Sequence, residues 1–211
     1  MEIKSYPSVS MGANCYTVLS DNAAIVIDPG EYCENVCNFL KENQDKQRLI
    51  LLTHCHFDHI GGAAELREKT QTPIAIGEKE FDATIDPKKT LSRYFGISIT
   101  HFSPDIALTD GQELAVGDIN IKCIETPGHT VGSMCYLIDD ILLSGDTLFN
   151  LSIGRTDFPN GSFLEISKSI KMLYNSLDDN TVVFPGHGEK TLIAYEKNNN
   201  PCNSTLSTSC M

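Results

Sequence analysis

The run Thr53-His54-Cys55-His56-Phe57-Asp58-His59-Ile60-Gly61-Gly62 follows directly on the apolar Leu49-Ile50-Leu51-Leu52. It packs three of the chain's six histidines and a carboxylate into six residues. The apolar run reads as a buried strand, so the cluster at its end lies at the rim of a sheet, where a metal and a substrate can both reach it. His54 and His56 sit two apart, which in extended chain projects both imidazoles to one side. Asp58 and His59 follow across a turn into the next helix. Two histidines suit a borderline cation such as Zn²⁺, and an aspartate oxygen completes or bridges such a site. Four ligands within six residues crowd a single ion, so the spacing itself points to two. The competing reading, a His-rich surface turn, is disfavoured by the concentration of half the histidines in one window.

The remainder of the chain shows what could surround this stretch. Its 211 residues suffice for one sizeable domain. Residues 1–197 are expected to form that domain, and the polar residues 198–211 a loose tail. Three short strands are expected around Ile3–Tyr6, Cys15–Leu19 and Ala23–Ile27, the last running into Asp28-Pro29-Gly30. A helix over about 31–42 then leads to the buried strand. Strong helix formers follow the cluster from Ala63, and Pro73 forces an extended entry to a strand at 74–76. Residues 84–104 show no clear pattern and are expected to be an insertion. Strand-like segments recur at 106–108, 113–116, 119–125, 134–138 and 141–143. A helix over 163–177, a strand over 181–184 and a short helix over 190–197 complete the order. Strands in two blocks, each followed by helices, fit an α/β fold of two mixed β-sheets with helices on the outer faces.

Composition excludes some functions. A net charge of −12 argues against nucleic acid or an anionic membrane, because phosphate recognition needs a basic surface. No apolar run approaches the ~18 residues of a membrane span. No signal peptide is visible, so the eight cysteines are expected to be reduced thiols in the cytoplasm. Cys33 and Cys37 are expected to be packed or exposed thiols rather than a metal pair. Cys55 lies between two candidate ligands, so alternation turns its thiol away from them, and His101 is expected to be an ordinary loop histidine.

Three further ligand-type residues repeat one arrangement, a strand followed by glycine. His129 lies in Thr126-Pro127-Gly128-His129, Asp146 in Leu143-Ser144-Gly145-Asp146, and His187 in Phe184-Pro185-Gly186-His187. Glycine there lets the backbone approach an ion closely.

With these residues in view, the chain resembles the metallo-β-lactamase-fold hydrolases. His-x-His-x-Asp-His at 54–59, then His129, Asp146 and His187, match that family's metal signature, with Asp28 in the place of its first motif. Ser152-Ile153-Gly154-Arg155-Thr156-Asp157-Phe158-Pro159, the Gly186-His187-Gly188 turn and residues 196–201 are similar to the short bacterial glyoxalase II-like, or hydroxyacylglutathione hydrolase-like, proteins. The resemblance implies a four-layer αβ/βα sandwich. It implies one ion held by His54, His56 and His129, a second by Asp58, His59 and His187, and Asp146 bridging. Asp28 would orient a ligand from behind, and Asp58 would also orient the nucleophile. The cofactors implied are two divalent ions, Zn or also Fe, and the substrate a small-molecule thioester such as S-lactoylglutathione. The extra C-terminal helical domain of longer glyoxalase II enzymes, which helps hold glutathione, is expected to be absent. Arg155 has two readings of equal weight, a substrate carboxylate contact or a salt bridge with Asp157. Two alternatives to the thioesterase stand beside it: a mononuclear iron persulfide dioxygenase of the same superfamily, and a binding protein with an idle site.

Overall fold

Along the strand Gln47–Leu52 the side chains alternate between two apolar environments. Leu49 and Leu51 join a core with Ile25, Ile27, Ile121 and Tyr136, while Ile50 and Leu52 pack among Val36, Leu40 and Leu66. A strand covered on both faces has no polar side to show, which is why it reads as an unbroken apolar run.

The computed structural model describes residues 1–8 and 12–204. Its first strand block is β1 (Glu2–Pro7), β2 (Asn14–Leu19), β3 (Ala23–Ile27), β4 (Gln47–Leu52), β5 (Ile74–Gly77) and β6 (Ile106–Leu108), lying in that order across one sheet. β1 to β3 are antiparallel neighbours, and β3 to β6 are parallel ones. The second block is β7 (Glu113–Val116), β8 (Ile119–Glu125), β9 (Met134–Ile138) and β10 (Ile141–Gly145), then the ribbon of β11 (Leu148–Phe149) and β12 (Ser152–Ile153), then β13 (Val182–Pro185) and β14 (Thr191–Leu192). All but the ribbon form a second sheet, ordered β14-β13-β10-β9-β8-β7, in which only β10 and β13 run parallel.

The inner faces of the two sheets share one core, in which Tyr16, Val18, Ile25 and Leu51 meet Ile121, Cys123, Met134 and Leu143. Helices α1 (Glu34–Glu42) and α3 (Ala63–Thr70) cover the outer face of the first sheet. Helices α5 (Phe163–Ser176) and α6 (Ile193–Asn199) cover that of the second, through Leu173 and Ile193 against Leu142 and Val183. The single turn α2 (Phe57–Ile60), a 3-10 helix at Glu78–Ala83 and the short α4 (Ser92–Phe95) complete the helices among the described residues. The architecture is the expected four-layer αβ/βα sandwich of two mixed sheets. No helix among the described residues is long and apolar enough to cross a membrane.

Several boundaries differ from the sequence reading. α1 starts at Glu34 because Cys33 is still extended, with φ −128° and ψ 122°. The segment expected to be a helix over 190–197 is the strand β14 followed by α6, which continues to Asn199. Asn200 is buried, donating to the Ser152 carbonyl (3.1 Å) and to Glu196 Oε2 (2.7 Å), so the loose tail does not begin at 198. The rest of that expected tail, residues 205–211, lies outside the described residues. Residues 84–104 hold only one helical turn, and side chains order them instead. Thr84 Oγ1 donates to the Phe102 carbonyl at 2.6 Å, Phe57 donates its N–H to the Thr90 carbonyl at 2.9 Å, and Leu91 and Phe102 are buried. Cys37 is buried and Cys33 partly so, both as free thiols.

Two buried tyrosines tie the sheets together at their functional ends. Tyr16 on β2 donates its hydroxyl to the Pro185 carbonyl at the end of β13 (2.6 Å). Tyr136 on β9 donates to the Leu52 carbonyl at the end of β4 (2.6 Å). Each crosses from one sheet to the strand end that launches a histidine in the other. Tyr136→Phe is predicted to cost about 1 kcal/mol, read as a lower midpoint in chemical unfolding with an unchanged denaturant slope. An unchanged midpoint would contradict the role given to this bond.

Candidate metal centre

Strand ends from both sheets meet at one rim. β4 delivers His54 and His56, and the turn α2 carries Asp58 and His59. His129 follows β8, Asp146 follows β10, and His187 follows β13. All seven sequence-predicted ligands are brought together there, with Asp28 behind them at the end of β3. The glycines make this crowding feasible. A Cβ on Gly186 would sit 2.2 Å from Asp146 Oδ1, and one on Gly145, whose φ is +48°, would sit 2.5 Å from Thr53 Oγ1.

Hydrogen-bond partners assign the imidazole tautomers. The Asp28 carboxylate accepts three donors: the Thr53 backbone N–H (2.7 Å), the Thr53 hydroxyl (2.6 Å) and His59 Nδ1–H (2.9 Å). Thr53 has thereby spent its only proton, so its oxygen accepts from His54 Nδ1–H at 3.0 Å. His129 donates Nδ1–H to the Arg155 carbonyl (2.8 Å), and His187 donates Nδ1–H to that of Gly12 (3.0 Å). Four rings therefore turn Nε2 lone pairs inward. His56 instead turns Nδ1 inward, 3.1 Å from His54 Nε2 and 2.9 Å from His129 Nε2.

The carboxylates meet the same lone pairs. Asp146 Oδ1 lies 3.3 Å from His59 Nε2, and Oδ2 lies 3.4 Å from His129 Nε2 and 3.6 Å from His187 Nε2. Asp58 Oδ2 is 3.3 Å from His187 Nε2 and 3.8 Å from His59 Nε2. Around the two carboxylates the centre thus sets acceptors facing acceptors. His59 Nε2 and Asp146 Oδ1 are buried with no hydrogen-bond partner. Leaving such groups unmatched costs free energy that a cation removes, so the donor set fits divalent metal ions. Three overlapping groups place their ligand atoms within 4.8 Å of one another: His54, His56 and His129; His54, His59 and Asp146; Asp58, His59 and His187. The middle group shares a member with each of the others, which makes one continuous centre.

Protons compete for the same positions, and unequally. Burial, with the neighbouring imidazoles, holds His54 well below its ordinary value and brings His56 down to about 3. Burial would lower His59 too, but the carboxylates of Asp146, Asp58 and Asp28 outweigh it and hold that ring well above the ordinary value. His187 is also raised, its burial overcome by the hydrogen bond to Asp58. Burial opposes ionisation of Asp58 and Asp146, yet the charge of His59 and the other histidines lowers both.

Arg155 makes the salt bridge that its second reading expects. Nε and Nη2 donate to the two Asp157 oxygens at 2.7 Å each, and the guanidinium stacks 3.9 Å from the centre of the Phe158 ring. The residue serves the centre through its carbonyl, which holds His129. The Cys55 thiol is buried away from the imidazoles, 3.6 Å from the Lys89 carbonyl, and His101 faces the Thr84 carbonyl at 2.9 Å in its loop. Sequence reasoning missed Glu80, a buried carboxylate accepting from Gly132 N–H (2.9 Å) and Cys55 N–H (3.2 Å). It clamps the His54–His56 loop to the His129 loop, and a lone glutamate after a strand carries no signal of that. Beside the centre opens a cavity of about 380 Å³, reached by Asp58, His129, Asp146 and His187.

Comparison with known proteins agrees with this geometry. A probable metallo-hydrolase, YqgX of Bacillus subtilis, is 34% identical over 95% of this chain and 97% of its own. The hydroxyacylglutathione hydrolase GloC of Haemophilus influenzae is 32% identical over 95% and 97%. Among solved structures, the BLEG-1 B3 metallo-β-lactamase superposes with a TM-score of 0.87 at 36% identity, covering 95% of this chain and 98% of that one. TTHA1623 in a di-iron-bound form gives 0.83 at 28%, covering 94% and 98%. ETHE1 from Myxococcus xanthus gives 0.75 at 28%, covering 95% and 84%. The model of the metallo-β-lactamase superfamily matches residues 11–187, which run from just before β2 to the last histidine of the centre. On that match and these relatives, the chain belongs to the metallo-β-lactamase superfamily.

Proposed function

We propose that this chain is a metal-dependent hydrolase that cleaves thioesters, with S-lactoylglutathione the reference substrate for testing it. The observation that carries the reading is the convergence of five imidazoles and two carboxylates on one point, with His59 Nε2 and Asp146 Oδ1 left without a partner, beside an open cavity. In this assignment His54, His56 and His129 hold one ion, and Asp58, His59 and His187 a second. Asp146 lies between the two sets and would bridge the ions. Zn suits the histidine-rich donors, and Fe is compatible with them. Divalent ions bound there supply a lowered pKa for water, towards ~7, and polarise a carbonyl.

The chain's own residues do the rest. Asp58 is the more open of the two inner carboxylates, its side chain 20% exposed against 10% for Asp146. It faces the cavity and can accept a hydrogen bond from the attacking water and orient it. Asp28, through Thr53 and His59, keeps the imidazole lone pairs aimed inward. A thiolate leaves without a dedicated general acid, because free thiols have a pKa near ~8.5, and none is needed among the cavity's side chains. The similarity to a hydroxyacylglutathione hydrolase supports the thioester class. A mononuclear iron persulfide dioxygenase is kept as the second reading for one specific reason. His54, His59 and Asp146 form a two-histidine, one-carboxylate group of the kind non-haem iron oxygenases use.

S-lactoylglutathione is expected to be hydrolysed at a rate proportional to bound metal, lost on chelation and restored by Zn²⁺. One Fe per chain with oxygen uptake on glutathione persulfide would replace this reading with the second. The unequal proton affinities predict stepwise metal loss on acidification. A raised pKa keeps the proton on His59 to higher pH, so the ion at Asp58, His59 and His187 leaves first, whereas the depressed His54 and His56 remain free ligands. Metal content measured by mass spectrometry is expected to fall from about two per chain near pH ~7.5 to about one near ~5, and loss of both ions in one step would contradict the assignment. Asp28→Asn is expected to weaken metal affinity 10- to 100-fold, roughly, in competition with a chelator. Unchanged affinity would remove Asp28 from the machinery.

A further inference from the structure

Resting on the thioesterase reading above, we infer that the thioester taken by this site carries an apolar, uncharged group beside the scissile bond. The cavity next to the centre is walled by Phe57, Leu91, Phe95, Phe149, Ile153 and Phe158. Three of these form a chain of ring contacts that starts on a ligand. His56 meets Phe158 at 5.8 Å, Phe158 meets Phe95 at 6.1 Å, and Phe95 meets Phe57 at 5.3 Å between ring centres. Across the opening Phe149 packs against His187 at 6.0 Å. Phe95 is 52% exposed, a large aromatic left facing water at the lip. Aromatic and aliphatic walls of this kind gain by taking apolar groups out of water.

The charges point the same way. Apart from the histidines, the lining has one cation, Arg155, which turns its Nε and Nη2 face onto Asp157 and its plane onto Phe158. A thiol carrying two carboxylates, as glutathione does, would meet a single cation here that already shares its charge with Asp157, and unpaired charge beside an apolar wall is costly. Lys79 and Lys89 lie on a separate, smaller cavity that meets this one at His56, and Lys79 is held by Glu125 at 2.6 Å. Leu91 and Phe95 come from the 84–104 segment, Phe95 from the turn α4, so this otherwise irregular stretch builds one wall of the cavity.

The test compares four thioesters with the metal-loaded protein, each rate divided by that of uncatalysed hydroxide hydrolysis. They are S-phenylacetyl-N-acetylcysteamine, S-acetyl benzyl mercaptan, S-acetyl-N-acetylcysteamine and S-lactoylglutathione. The first places the apolar group on the acyl side and the second on the thiol side. At least one of these two is expected to exceed S-lactoylglutathione in kcat/KM by about tenfold or more. Phe95→Ala, at an exposed position, is expected to reduce that preference about fivefold, chiefly through KM. Equal or better turnover of S-lactoylglutathione, or a preference untouched by Phe95→Ala, overturns the inference and leaves the thioesterase reading standing. Hydrolysis of none of the four overturns both.

Discussion

The carboxylate of Asp28 is the constraint on which the centre depends. It takes three donors, two from Thr53 and one from His59, and through the Thr53 hydroxyl it also decides which nitrogen of His54 carries the proton. Its backbone sits at φ +48°, a region that non-glycine residues rarely occupy and that surrounding structure must enforce. Pro29 and Gly30 follow it, and Gly30 has no Cβ where the Asp58 carbonyl passes. One strained residue at the end of β3 thus orients ligands from β4 and α2, and the energy stored there is offset by a centre whose lone pairs all face one place.

The fold serves this arrangement in a direct way. Neither sheet alone holds the ligand set: the first supplies His54, His56, Asp58 and His59, the second His129, Asp146 and His187. The separation of the two layers therefore sets the separation of the ligands. Tyr16 and Tyr136 fix that separation at the strand ends themselves, each bonding a carbonyl just before a histidine loop. Glu80 then fixes the lateral spacing between the His54–His56 and His129 loops. Helix α5 adds support from outside, with Ser169 Oγ donating to the Pro127 carbonyl and Ser162 N–H to that of Gly128.

What was legible in the sequence is what depends on neighbours along the chain. The doubly buried β4, the alternation that turns Cys55 away, and the strand-glycine-ligand pattern at His129, Asp146 and His187 are all local signals. The supports were not legible, because they are contacts between distant residues made through atoms every residue has. The carbonyls of Gly12 and Arg155 set two tautomers, and nothing in their side chains announces it. Arg155 admits two readings from the sequence, and the structure shows the bidentate pair with Asp157 two residues away. The 84–104 segment showed no period because it has none; its order comes from buried threonine hydroxyls and from Leu91 and Phe102.

Two ions sharing Asp146 would satisfy the nitrogens and oxygens that converge at this rim. Anomalous diffraction from crystals of the metal-loaded protein is expected to show two peaks, one in contact with His54, His56 and His129, the other with Asp58, His59 and His187, and Asp146 touching both. A single peak, or metal bound away from Asp146, would contradict this assignment.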